Sequence, residues 1–193
     1  RDLAALTDFV ADGVGELGRL DVVVANAGVF SAGRLWELTP QQWEDVVGVN
    51  LTGVWHTIKA VVPHMIEQGT GGSIILTSSV AGLSGVPFVG HYVATKHAVV
   101  GLCRTLANEL GEYDIRVNSI HPAGVNTAMM TEPDLSALIQ AHAATLGPIY
   151  MNALPYTAVE PADVAALVAF LASDEARYTT GAQFPIDLGN LNR

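Results

Sequence analysis

Apolar residues at Leu3, Leu6, Phe9, Val10, Val14 and Leu17 recur at the spacing of one helical face, and the pattern then tightens into a β-branched run over residues 20–26. A helix followed by a buried strand is predicted. Thr39-Pro40-Gln41-Gln42 opens the next helix, with Thr39 as N-cap, Pro40 at the first helical position and Gln42 placed to close a capping box. The apolar spacing carries this helix to about Gln68, with a bend expected at Pro63. Gly69-Thr70-Gly71-Gly72 reads as a turn and residues 73–78 as a second buried strand. Further along, the pattern predicts a helix over 91–110, a strand over 115–120, a long weakly charged excursion, a helix over 161–172 and a short strand over 183–187. Buried strands alternating with helices predict an α/β, doubly wound parallel sheet covered on both faces, a Rossmann-like three-layer fold.

Composition sharpens this picture. The 193 residues fit one domain, and with half of them hydrophobic and 15% charged there is apolar surface enough for a packed core. Nine Lys and Arg against nineteen Asp and Glu give a net charge of −10, which argues against a nucleic acid partner and against anionic lipid surfaces. The uncharged stretch 68–95 holds too many Gly, Ser and Thr to read as a membrane span. The lone Cys103 cannot form an internal disulfide, which fits a reducing compartment, and the cytoplasm is the expected location.

Several motifs are better set aside. Gly13-x-Gly15-x-x-Gly18 matches the dinucleotide-binding spacing, but a helix precedes it and a strand follows, the reverse of what that motif needs to bring a pyrophosphate to a helix N-terminus. It reads as a glycine-rich helix end. The six histidines include no pair four apart, and with one cysteine no metal site is expected. There is no P-loop, and Gly82-Leu83-Ser84-Gly85 falls short of a nucleophile elbow.

Candidate chemistry gathers around Tyr92 and Lys96, four apart on a predicted helix and hence on one face. A lysine ammonium about 4 Å from a phenol, at an effective dielectric near 20, is worth roughly 4 kcal/mol, or about three pKa units, which would bring the phenol near neutrality. Taken alone the pair fits any exposed helix. Ser79 stands at the C-terminal end of a predicted strand, where parallel sheets place ligand crevices, and its hydroxyl could hold a substrate oxygen or simply cap a helix. Asn26-Ala27-Gly28 ends the preceding strand, where small residues admit a flat ligand or make a tight turn. Asn50, flanked by Gly48 and Gly53, is an odd choice for a helix core; it is either a structural bridge or part of a proton relay.

With these residues in view, the sequence resembles the short-chain dehydrogenase/reductase family along its whole length. The resemblance rests on Asn26-Ala27-Gly28, Val49-Asn50-Leu51-Thr52-Gly53, Ser78-Ser79, Tyr92-x-x-x-Lys96, Arg116-Val117-Asn118 and 122–127, in family order and spacing. It implies Tyr92 as catalytic acid/base, Ser79 orienting the reacting oxygen, Lys96 holding the nicotinamide ribose and lowering the tyrosine pKa, and Asn50 completing a relay. Asn26, Ala27, Gly28, Thr77, Pro122, Val125 and Thr127 would join Tyr92 and Lys96 around the cofactor, and Val80, Val86, Met129, Met130, Tyr150 and Tyr156 would face substrate. The family usually has Pro-Gly where this chain has Pro122-Ala123, with Gly124 one place later. The resemblance also implies a first βαβ portion, with the glycine-rich turn, upstream of residue 1.

Details around Ser79, Tyr92 and Thr127, and the run 174–181, are similar to the actinobacterial carveol-dehydrogenase-like, mycofactocin-coupled branch. That implies NAD, with NADP still open, and cyclic terpenoid alcohols as substrates. Residues 125–160 would form the substrate lid, whose apolar make-up suits a hydrophobic secondary alcohol or ketone. The helix over 91–110 is apolar on more than one face, which fits burial against the sheet on one side and another subunit on the other, and the resemblance implies a homotetramer. Two other functions compete: a non-catalytic binding relative of the same fold, and an epimerase or lyase on the same scaffold.

Overall fold

The computed structural model describes residues 1–193, the side chain of Thr131 excepted. Helix α1 (Leu3–Leu17) leads into β1 (Val22–Ala25); α2 (Pro40–Val47), a π-helical turn (Gly48–Thr52) and α3 (Gly53–Gln68) lead into β2 (Gly72–Thr77). Helix α4 (Gly90–Leu110) precedes β3 (Ile115–Pro122), then come α5 (Pro133–Ala141), α6 (Ala143–Leu146), α7 (Pro161–Ala172) and β4 (Gln183–Ile186). The four strands pair in chain order and all in parallel, with Val23 opposite Ile74, Ile74 opposite Val117 and Ile120 opposite Phe184.

Period-two alternation sends the strands' apolar side chains to two cores. Val23, Ile74, Leu76 and Val117 pack with Val54, Ile58 and Met65 of α3 and with Val99 and Cys103 of α4. Ile75 and Ile120 face the other way, onto Leu171 and neighbouring residues of α7. This is the three-layer α/β/α sheet the alternation predicts. Cys103 is buried in the first core and its thiol lies 3.6 Å from the Val117 carbonyl, as its packing role requires.

Local signals hold where side chains dictate them. Thr39 accepts from Gln42 N–H at 3.2 Å while Gln42 Oε1 accepts from Thr39 N–H at 2.9 Å, the expected capping box. Gly13 and Gly15 lie inside α1, and Gly18 closes it at φ 78°, so the glycine spacing marks a helix end. The single helix expected over 40–68 is instead two helices joined by the π-turn, and α3 runs on past Pro63. The excursion after β3 contains α5 and α6, which its weak pattern does not predict.

Candidate active site

Strands β2 and β3 end side by side, and the chain beyond each of them opens one cavity of about 1030 Å³. Its walls include Asn26, Ala27 and Gly28 after β1, Thr77 and Ser79 at the end of β2, Tyr92 and Lys96 from the first turns of α4, Pro122 at the end of β3, and Val125 and Thr127 after it. Val80, Val86, Met129, Met130 and Tyr150 also line it. Parallel strands present ligand crevices at their carboxyl ends, because the following loops diverge to opposite faces there. A smaller cavity of about 510 Å³ adjoins it and shares Val24, Asn26 and Ala27.

Ser78 and Ser79 extend β2 into two different environments. Ser78 is buried and donates to the Lys96 carbonyl at 2.9 Å, fastening the strand end to α4. Ser79 caps a short 3-10 turn (Val80–Gly82): its hydroxyl accepts from Ala81 N–H at 3.2 Å and donates to the Pro122 carbonyl at 3.4 Å. A Cβ at Gly82 would strike Ser78 Oγ and stand 2.7 Å from the Lys96 carbonyl oxygen, so glycine is needed for this turn to meet α4.

Lys96 is 3% exposed, and its ammonium donates to the Thr77 carbonyl at 2.7 Å. Burial lowers its pKa from 10.5 to about 8. Nζ lies 5.3 Å from the centre of the Tyr92 ring. The phenol does not move toward neutrality as expected from the helix spacing: burial pushes its pKa up, and a hydrogen bond with the Ser79 side chain pulls the other way. Burial is the larger of the two effects, and the Lys96 ammonium is committed to the strand-end carbonyl. Phe30 meets the Tyr92 ring edge-on, at 5.9 Å and 65°.

Asn50 is fully buried in the π-turn, a local widening that lets a side chain leave the regular helical face. Its Oδ1 accepts from Val29 N–H and its Nδ2 donates to the Val29 carbonyl, both at 2.8 Å. It is therefore a bridge that fixes the loop after β1. A Cβ placed on Gly28 would sit 3.6 Å from Asn50 Oδ1 and 3.7 Å from Lys96 Nζ, which puts Asn50 behind that loop and Lys96 beside it.

One expectation fails on position. Tyr156 is 63% exposed and takes no part in the cavity wall, because its backbone is turned outward by bonds to Asn152 and Leu154. His91 faces neither cavity nor solvent; it is fully buried, with Nε2 2.9 Å from the Ser31 hydroxyl. Tyr150 lines the cavity and also donates to the Pro87 carbonyl at 2.7 Å, latching the excursion across the opening.

Sequence reasoning missed Phe30, Leu135, Ile139, Ile149, Asn152 and Asn190 in the wall. Asn190 follows β4, and the same strand-end rule that singled out Ser79 could have found it. Its Nδ2 is 3.1 Å from the Met151 carbonyl and 3.4 Å from Asn152 Oδ1. Ala153 and Leu154 N–H both donate to the Leu188 carbonyl at 2.9 Å. Hydrogen-bonding capacity remains in the floor: among the described residues, Thr77 Oγ1 is buried without a partner, and the three N–H groups of Lys96 meet one protein acceptor. Such a wall suits a ligand carrying sugar hydroxyls. Among the described residues no group of three or more His, Cys, Asp or Glu side chains could hold a metal ion, and no helix is long and apolar enough to cross a membrane.

The family model described as enoyl-(acyl carrier protein) reductase matches residues 1–190. An NAD-dependent oxidoreductase of Mycobacterium tuberculosis is 52% identical over 195 residues, covering 99% of this chain and 70% of that protein. The (−)-trans-carveol dehydrogenase of Rhodococcus erythropolis is 46% identical over 198 residues, covering 98% of this chain and 71% of the relative. The crystal structure of carveol dehydrogenase from Mycobacterium avium in complex with NAD superposes with a TM-score of 0.92 at 44% identity, over 100% of this chain and 72% of that one.

Proposed function

The chain belongs to the short-chain dehydrogenase/reductase family, and on that premise we propose that it moves a hydride between NAD and a hydrophobic secondary alcohol or its ketone, with Tyr92 handling the hydroxyl proton. The observation that carries this reading is the convergence of Ser79, Tyr92 and Lys96, from two different elements, on one cavity at the strand ends. The buried unpartnered Thr77 hydroxyl and the under-committed Lys96 ammonium fit the ribose of a nicotinamide cofactor. NAD, when bound, supplies the hydride-accepting ring.

The chain's own residues divide the remaining work. Ser79 exchanges its long bond to Pro122 for one to the substrate oxygen, holding the carbinol oxygen beside the phenol. Tyr92 takes the alcohol proton in oxidation and returns it in reduction. Because burial raises the phenol's pKa, oxidation should gain rate as pH climbs toward the tyrosine range and reduction should lose it. Lys96 holds ribose hydroxyls from the base of the cavity. Asn50 has both side-chain groups on Val29, so its part in a relay runs through the loop it fixes beside Lys96.

Residues 125–160 act as the substrate lid in this reading. Val86, Met130, Leu135, Ile139 and Ile149 make the substrate side apolar, which supports a carveol-like terpenoid alcohol. Self-association as a homotetramer is supported by apolar groups left on the outer helices, such as Trp55, 47% exposed on α3, and Phe170, 38% exposed on α7. The cytoplasm is the location proposed.

Tyr92→Phe in the full chain should cut turnover by about 10²–10⁴-fold while NAD affinity stays within about twofold. Retained turnover would overturn the proton-handling role. Net accumulation of NADH from an alcohol separates this reaction from an epimerase, which returns its cofactor unchanged.

A further inference from the structure

Two side chains of β3, Ser119 and His121, are two residues apart and so share one face of the strand; both are fully buried. Neither is part of the cavity wall. His121 Nδ1 lies 2.8 Å from the Ser79 carbonyl oxygen, and Nε2 lies 2.9 Å from the Ser119 hydroxyl. A carbonyl oxygen only accepts, so Nδ1 carries the ring hydrogen. In the neutral ring Nε2 is then an acceptor, and the Ser119 hydroxyl donates to it. Burial, which lowers the imidazole's pKa against the opposing pull of the Ser79 backbone bond, keeps the ring in that neutral state.

We propose that His121 is a positioning residue for Ser79: a single imidazole tautomer, set by the Ser79 carbonyl and held in place by the Ser119 hydroxyl, clamps the Ser79 peptide to β3 and thereby aims the Ser79 hydroxyl into the cavity. Ser79 is bracketed by the last two residues of β3. Pro122 accepts from its hydroxyl at 3.4 Å, and His121 donates to its carbonyl at 2.8 Å. The Pro122 contact must be released for the hydroxyl to serve a substrate oxygen. The His121 bond is independent of the hydroxyl and persists when it does. Ser79 also uses its carbonyl to accept from Gly82 N–H at 2.9 Å, so the clamp acts on the first peptide of the 3-10 turn, where a small rotation would swing Oγ away from Tyr92.

The inference rests on Ser79 serving the reacting oxygen, and the experiment separates the two. Asparagine places an amide N–H near the position of Nδ1, whereas glutamine reaches the position of Nε2. In the full chain with NAD and a hydrophobic alcohol, His121→Gln should lower kcat by about 10–100-fold with KM and NAD affinity changed by less than about threefold, and His121→Asn should recover to within about fivefold of the parent. In the Ser79→Ala background, His121→Gln should cost little more, because the group it aims is gone. Nitrogen NMR of the ligand-free protein should show His121 as the Nδ1–H tautomer.

Equal loss in the Gln and Asn variants, full additivity with Ser79→Ala, or an Nε2–H tautomer would overturn the clamp. Retained activity in Ser79→Ala would instead overturn the role of Ser79 itself. If the glutamine variant does not fold, Ser119→Ala carries the test: freeing Nε2 should lower kcat by about three- to tenfold at unchanged KM, and an unchanged kcat would sink the proposal.

Discussion

The floor of the cavity and its roof are built on different principles. In the floor and directly behind it, Ser78, Ser79, Lys96 and His121 are buried and each is tied by hydrogen bonds that cross between β2, β3 and α4. The roof, residues 128–157, hangs from a few points: Tyr150 on Pro87, His142 on Arg34 and against Phe88, and the pair of N–H groups on Leu188 with Asn190 beside them. Its apolar side chains stay partly in water, Met129 at 40%, Met130 at 44% and Ile149 at 42% exposure. On the function proposed above, a densely bonded floor would fix where a proton can go, and a lightly attached apolar roof would govern what can enter. Changes below should therefore register in kcat and stability, and changes above in KM.

After the loss expected for Tyr92→Phe, the largest effect should come from Gly82→Ala. Its methyl would meet Ser78 Oγ and the Lys96 carbonyl, costing about 1–3 kcal/mol in urea unfolding and lowering kcat as α4 shifts from the turn. Asn50→Ala strands both polar groups of Val29 and should cost about 1–3 kcal/mol by the same measurement. A loss no greater than that of an exposed helical asparagine would show that the floor does not depend on this bridge.

Lys96 supplies a pH signature. Its folded value of about 8 lies below the ordinary 10.5, so between these values the unfolded chain binds more protons and stability should rise with pH; below about 8 the folded state carries the whole burial cost. Lys96→Met should flatten the slope, and an unchanged slope would place its origin elsewhere. The smallest effect is expected in the roof. Tyr150→Phe removes one bond to Pro87, worth about 1 kcal/mol, and should shift KM by about fivefold with kcat nearly unchanged. A dominant kcat effect would erase the floor–roof distinction.

Much of the floor was legible in the sequence because its residues sit where local rules apply. The strand ends, the capping box at Thr39 and the boundaries of α7 follow from patterning and capping chemistry. The π-turn was not legible, since the apolar spacing runs through it; only the misplaced Asn50 hinted at it. Spacing put Lys96 and Tyr92 on one face of α4 but could not say that the ammonium would turn to Thr77 or how deeply the phenol would be buried, and burial sets the direction of the phenol's shift. In the roof, composition gave apolar character without direction. Tyr150 and Tyr156 are alike by that measure, yet one lines the cavity and the other faces water.

The two ends of the roof return to the same place. Val125 and Val159 form a parallel bridge, and Asn126 and Val159 N–H donate at 2.9 Å to the Val159 and Gly124 carbonyls. If this segment is the lid proposed above, its stitched entry and exit make it replaceable as a cassette: grafts of other lengths and compositions should inherit the same anchored stem and alter substrate range without redrawing the chemistry beneath.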